Sequence, residues 1–216
     1  MTTPDRAANP SRGPGDLDPR AAARLSVPLP PTLAARPIDP RRRLPVPYVN
    51  VHTRDGVEVT DFAAINAEAS LHAGRSRLCG LCGTALGYWI SFVGGPNTMR
   101  FRAFSDPPAH PACSLSAVAL CPHIALAHAR RATPRRLHAD TRVPVGFHDA
   151  KPDQWYLGLT RDYQVGLDRG SVIFRAAPFK SIHCWHYDTT GRLVLVPGSP
   201  PIPERALADA TFHGER

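Results

Sequence analysis

Two pairs of metal-ligating residues dominate the chemistry this sequence offers. Cys79 and Cys82 lie in Cys79-Gly80-Leu81-Cys82-Gly83, and His110 and Cys113 in His110-Pro111-Ala112-Cys113, with 27 residues between the pairs. Thiolate and imidazole ligands at this spacing are what a tetrahedral zinc ion takes up. Protein side chains would fill all four positions, which makes the ion a structural brace; a catalytic site keeps one position for water. Three thiolates and one neutral imidazole leave a single negative charge on such a complex. Arg75, Arg77, Arg100 and Arg102 are the nearby cations that could balance it.

The same residues admit other readings. An iron–sulfur cluster also takes cysteine ligands, and cysteine pairs can be redox-active or simply buried. Cys121 and His123 widen the choice, because Cys79, Cys82, Cys113 and Cys121 would suit either zinc or a cluster. A regular helix, however, puts Cys121 about 12 Å along its axis from Cys113 at ~1.5 Å per residue, too far to share one ion. Cys121 therefore reads as a buried structural cysteine.

Other chemistry finds less support. His183-Cys184-Trp185-His186 suggests a second metal site, but on a strand His183 and Trp185 face one way and Cys184 and His186 the other. His138, Asp140, His148 and Asp149 are close in sequence with nothing to fix their geometry, and read as a polar loop. The His-x-Glu…Pro-Cys-x-x-Cys deaminase pattern is absent, as are phosphate-cradling and nucleophile-elbow motifs. Trp155, Tyr156, His183, Trp185 and His186 are the residues around which an enzyme pocket would be sought.

The ligands need elements to hold them. Tyr48–Thr53 and Val57–Thr60 alternate around Arg54-Asp55-Gly56 and read as a hairpin. A short helix is expected from Asp61, its N-cap, to about His72, closed by Gly74. After the cysteine knuckle, Leu86–Val93 reads as a strand, Gly94-Gly95-Pro96-Asn97 as a turn, and Met99–Phe104 as the returning strand. His110 and Cys113 then open a helix, with Pro111 in its first turn, that kinks or ends near Cys121 ahead of Pro122. Gln154–Thr160, Ser171–Ala176, Ile182–Tyr187 and Leu193–Val196 read as strands, and Pro203–Thr211 as a terminal helix.

Composition places these elements within the chain. Residues 1–43 hold nine prolines and little apolar periodicity, so they read as a disordered tail. The net charge of +8 is uneven: residues 1–47 carry eight Arg against four Asp, residues 124–142 five Arg against one Asp, and the other segments balance. Such basic patches attract polyanions. Only Lys151 and Lys180 are lysines among 26 basic residues, so arginine abundance by itself says little. Five cysteines, an odd number, and the lack of an apolar leader or a run of ~20 apolar residues fit a cytoplasmic protein better than a disulfide-stapled or membrane one.

Knuckle, hairpin and helix-borne ligands come in the order found in treble-clef zinc fingers, which residues 79–123 resemble. HNH nucleases share that scaffold but add a catalytic His on the hairpin and further ligands on the helix. Neither the interval between Cys82 and His110 nor Ser114–Leu120 supplies them. The succession Arg43-Leu44-Pro45-Val46-Pro47-Tyr48, Leu78-Cys79-Gly80-Leu81-Cys82-Gly83, Phe92-Val93-Gly94-Gly95-Pro96, Pro107-Pro108-Ala109-His110-Pro111-Ala112-Cys113 and Leu120-Cys121-Pro122-His123 resembles an uncharacterised family of small bacterial and bacteriophage proteins. That resemblance implies the metal site and a bacterial or phage origin, and no reaction.

The expected protein is α+β. It has a disordered tail (1–43), a treble-clef-like zinc-binding core (44–131), a basic linker (132–153) and a β-rich C-terminal part packed on the core (154–216). The expected function is non-enzymatic: a Zn2+ ion on Cys79, Cys82, His110 and Cys113, and docking of DNA or RNA through Arg130, Arg131, Arg135 and Arg136. A protein-interaction module working through the N-terminal tail is the alternative, and an enzyme with a pocket in the C-terminal part the third.

Overall fold

The computed structural model describes residues 29–129, 151–168 and 170–208. The chain enters the fold through a single helical turn, Pro31–Ala34 (α1), started by a proline at the first helical position. A minimal ribbon follows, Ile38–Asp39 (β1) against Leu44–Pro45 (β2). Residues 29–43, expected in the disordered tail, are thus part of the fold, and the remainder of that stretch lies outside the described residues. From Leu29 onward the segment is structured, because Leu33 is a buried apolar anchor that a composition dominated by Pro and Arg conceals.

Val51–Arg54 (β3) and Val57–Thr60 (β4) form the expected hairpin, with Arg54 opposite Val57. Asp55 and Gly56 both have positive φ, which matches the right-handed twist of the strands. The next helix, Ala67–Arg75 (α2), starts later than the sequence suggests: Asn66 is its N-cap and accepts the Ala69 amide at 3.1 Å. Asp61 instead accepts the Ala63 N–H in a local turn. Asn50 donates to the carbonyls of Asp61 and Ala64, and this holds residues 61–64 out of the helix.

Between the two ligand pairs the expected hairpin does not form. Ile90–Gly94 (β5) is a strand, but Pro96–Phe101 (α3) is helical and only Ala103–Phe104 (β6) is extended. Gly95-Pro96 starts α3 as a proline at a first helical position does, and Arg102, in the left-handed region, stops it. β5 and β6 then join different sheets. Pro111–Leu120 (α4) begins and ends as expected, and Pro122–Ala125 (α5) follows it.

The C-terminal strands are Gln154–Thr160 (β7), Tyr163–Asp168 (β8), Ser171–Ala176 (β9), Ser181–Tyr187 (β10) and Leu193–Leu195 (β11), with Glu204–Ala208 (α6) last. One sheet runs β11-β10-β7-β5 and another β6-β9-β8, all neighbours antiparallel. The β-rich part thus shares both sheets with the segment that carries the candidate metal ligands. Of these strands β8 is the one missing from the sequence reading. It is an edge strand, and Gln164, Gly166 and Leu167 lie exposed on it, so no clean alternation marks it.

Strand alternation gives the four-stranded sheet two buried faces. Ile90 and Phe92 pack with Met99, Phe104, Tyr163 and Phe174 on one side. Leu157, Leu159 and Trp185 pack with Val118 of α4 and Ala206 of α6 on the other. The stacked rings of Phe92 and Phe104, with centroids 4.7 Å apart, tie the two sheets together. Among the described residues no helix is long and apolar enough to cross a membrane.

Candidate metal centre

The cysteine knuckle is a closed turn before it is a binding site. Leu78 and Ala85 bridge across it, the Cys79 N–H donates to the Thr84 carbonyl at 2.8 Å, and the Gly83 N–H to the Cys79 carbonyl at 2.8 Å. Gly83 has φ +80°, a conformation that favours glycine, and a Cβ there would lie 2.7 Å from the Tyr48 ring. The Gly80 N–H donates to the Pro108 carbonyl. That bond joins the knuckle to the approach of the second ligand pair.

The second pair is placed by β5. Ser91 and Ala109 exchange both backbone hydrogen bonds, at 2.9 and 3.0 Å, and the Ser91 hydroxyl also donates to the Ala109 carbonyl. The edge of β5 opposite β7 is therefore used to fix the residue before His110. His110 is then the N-cap position of α4 and Cys113 stands on its first turn. The interval that breaks the expected hairpin is what delivers these ligands.

Cys79, Cys82, His110 and Cys113 are all buried, and their ligand atoms lie within 4.8 Å of one another. His110 Nδ1 is 3.4 Å from Cys82 Sγ and 3.9 Å from Cys113 Sγ. On the far side of the ring, Nε2–H donates to the Ala85 carbonyl at 2.8 Å. A carbonyl only accepts, so Nε2 carries a proton and Nδ1 is the nitrogen turned toward the sulfurs, the orientation of a metal-ligating histidine held by an outer hydrogen bond. Cys79 Sγ accepts the Cys82 N–H at 3.5 Å, and Cys82 Sγ lies 3.1 Å from the Thr84 hydroxyl. This group could hold a metal ion.

Electrostatics point the same way. Hydrogen bonds from Cys113 and Cys79 hold Cys82 far below the ordinary thiol range, while the same sharing, with Cys79 first, pushes Cys113 far above it. Burial alone would lower His110, but hydrogen bonds to Cys79 and Cys82 and their negative charge push it up to about 10. Without a cation the cluster thus keeps protons that a ligand set must shed. A bound dication reverses that balance by favouring thiolate and neutral imidazole.

The other candidate residues are not brought together. Cys121 caps α4 outside the cluster, half-buried, so the set with Cys121 in place of His110 does not assemble. His123 meets Trp155 edge to face at 5.6 Å. His183 is buried between the Pro200 carbonyl, 2.6 Å from Nδ1, and the Ser181 hydroxyl, 3.1 Å from Nε2. Cys184 and His186 lie on the opposite face of β10, so the His183–His186 run forms no ligand set. Among the described residues no second group of three ligating side chains gathers.

Strand alternation divides the five aromatic and His candidates, with Trp155, His183 and Trp185 on one face of the sheet and Tyr156 and His186 on the other. A cleft of about 360 Å³ is lined by none of them but by Phe101, Arg102, Gln164 and Arg175 among others. Arg130, Arg131, Arg135 and Arg136 lie outside the described residues, as do His138, Asp140, His148 and Asp149. Of the four arginines expected to balance the site, Arg77 is paired with Asp162 at 2.9 Å. Three partners were not found from sequence: Thr84, the Ala85 carbonyl, and Thr32, whose hydroxyl lies 4.0 Å from Cys113 Sγ. Thr84 had a signal, two residues after a ligand; Thr32, 81 residues from Cys113, had none. Compared with known proteins, the chain matches no family model, no curated protein and no solved structure.

Proposed function

We propose that this chain is a non-enzymatic zinc-binding protein in which one Zn2+ on Cys79, Cys82, His110 and Cys113 braces the α+β fold. The observation that carries the reading is the set of four buried ligand atoms within 4.8 Å, with the histidine tautomer fixed from outside by Ala85. Zinc is favoured because a Cys3His donor set closed by protein is a structural zinc set, while iron–sulfur clusters prefer four thiolates. Such an ion would tie the knuckle to α4 and, through Ala109, to β5. The knuckle and helix-borne ligands keep the treble-clef order, with the intervening hairpin opened into two sheets. Elemental analysis of the purified protein should give one zinc per chain; iron with sulfide, or no metal, would overturn the reading.

The same proposal assigns nucleic-acid docking to Arg130, Arg131, Arg135 and Arg136. What supports it is charge placement, together with one structural relationship. Lys151 donates to the carbonyls of Leu126 and Ala129, so the two ends of the basic segment are pinned at one place on the neutral body. Phosphate contacts there would give affinity with little sequence preference and a steep salt dependence. Fluorescence anisotropy with single- and double-stranded oligonucleotides at low salt should show binding that the quadruple alanine variant loses. No binding by the wild type would remove this part and leave the metal part standing.

A further inference from the structure

The metal centre has a wall that the cysteine motif does not contain. The turn Pro31–Ala34 lies across it, and Leu33, only 5 % exposed, packs with Cys79, Cys82, Ala109 and Cys113; Leu29 lies against the same cluster. Besides the other ligand atoms, each sulfur has a hydrogen-bonding neighbour. Cys79 has the Cys82 N–H and Cys82 the Thr84 hydroxyl, both from the knuckle itself. Cys113 has the Thr32 hydroxyl, 81 residues away in sequence. A hydroxyl facing a thiolate donates to it and stabilises its charge, as outer groups around metal ligands do.

We propose that residues 29–36 are a strap that completes the metal centre and sets the rate at which its ion exchanges, with Thr32 and Leu33 as positioning residues for Cys113. This rests on the zinc reading given above. A closed tetrahedral site loses its ion when a ligand is protonated or an incoming donor attacks the metal. Both need access, and the strap stands over Cys113. Its attachment is limited: the buried Leu33 with half-buried Leu29 beside it, no side-chain cap on α1, an Arg36 Nε hydrogen bond to the Val46 carbonyl at 2.9 Å with the guanidinium 5.8 Å from the Tyr48 ring, and two residues of ribbon. Segments with so few buried contacts open well below the free energy of global unfolding. Undocking would strip the apolar cover of Leu33 from the cluster and the Thr32 hydroxyl from Cys113.

The test uses the full chain loaded with zinc and mixed with excess 4-(2-pyridylazo)resorcinol, the release being followed by stopped flow. Leu33→Ala and Leu33→Asp should release zinc at least ten-fold faster than wild type, and Thr32→Val several-fold faster, with Thr32→Ser restoring the wild-type rate. In the cobalt-substituted protein Thr32→Val should also shift the thiolate charge-transfer band, which a merely structural change at that surface would not move. Ile173→Ala, equally buried but in the other sheet, controls for general destabilisation. The strap is overturned if Leu33→Asp and Thr32→Val both release at the wild-type rate, or if Ile173→Ala accelerates release as much as Leu33→Ala. A wild-type protein that takes up no zinc would remove the metal reading itself, and the strap with it. A wild type that holds zinc beside indifferent strap variants would remove the strap alone.

Discussion

The Nε2–H of His110 donates to the carbonyl of Ala85 at 2.8 Å, and this bond decides which ring nitrogen can meet a metal. Ala85 closes the knuckle that carries Cys79 and Cys82, so the knuckle orients a ligand borne by the helix 25 residues later. Nitrogen-15 spectra of the imidazole in the zinc-loaded protein should therefore show Nε2 protonated and Nδ1 metal-bound. The opposite pattern would mean that the ring turns over on binding, and the outer hydrogen bond would lose its orienting role.

Removing a ligand tests whether the ion braces the fold. Cys82→Ser and Cys113→Ser should abolish stoichiometric zinc and destabilise the protein by several kcal/mol, since structural zinc in small sites contributes about 10–16 kcal/mol of apparent binding energy that is also folding energy. For a chain of this size each 1 kcal/mol lowers the melting temperature by roughly 2–4 °C. Cys121→Ser and Cys184→Ser, outside the cluster, should keep one zinc per chain. Calorimetric melting with elemental analysis of the same samples distinguishes these outcomes.

The knuckle glycine offers a finer test. Gly83 and Gly56 both have positive φ, +80° and +76°, but a Cβ on Gly83 would meet Tyr48 at 2.7 Å while one on Gly56 would meet nothing within 4 Å. Gly56→Ala should cost about 1–2 kcal/mol, the penalty of the left-handed conformation alone. Gly83→Ala should cost more and should weaken zinc binding, because Tyr48 cannot withdraw freely: its N–H donates to the Leu81 carbonyl at 2.9 Å. Equal costs at the two positions, by urea denaturation, would show that the knuckle adapts.

What the sequence made legible follows from the range of the forces involved. Cys-x-x-Cys with His-x-x-Cys, the Pro111 helix start and the Asp55-Gly56 turn are local signals, and the structure carries all three. The strands at Gln154–Thr160 and Ser171–Ala176 were equally readable from their β-branched and aromatic runs. Pairing was not. Nothing local tells β5 to choose β7, more than 60 residues on, over the segment Met99–Phe104 that its turn seemed to offer. That segment has enough apolar residues for a strand, yet Pro96, expected in a turn, starts a helix. Leu33 shows the same limit: one leucine in a proline-rich stretch has no periodicity, and only the fold reveals that it has somewhere to go.

His183 carries the pH-dependent prediction. Burial pushes its imidazole below the ordinary value, against the opposing hydrogen bond to the Pro200 carbonyl. Nδ1–H donates to that carbonyl and Nε2 accepts from the Ser181 hydroxyl, so the neutral ring satisfies both partners. A base whose folded value lies below its unfolded value of about 6.5 is protonated more readily in the unfolded chain. Stability linked to it is therefore fully present above the unfolded value and is lost as pH falls through 6.5 toward the folded value. His183→Gln keeps a donor and an acceptor but cannot titrate. Urea melts of zinc-loaded wild type and variant between pH 7.5 and 5.5 should show the wild type losing stability more steeply. Zinc-linked losses on acidification act on both proteins alike, so the difference in slope isolates this ring, and equal slopes would show that His183 protonates as easily folded as unfolded.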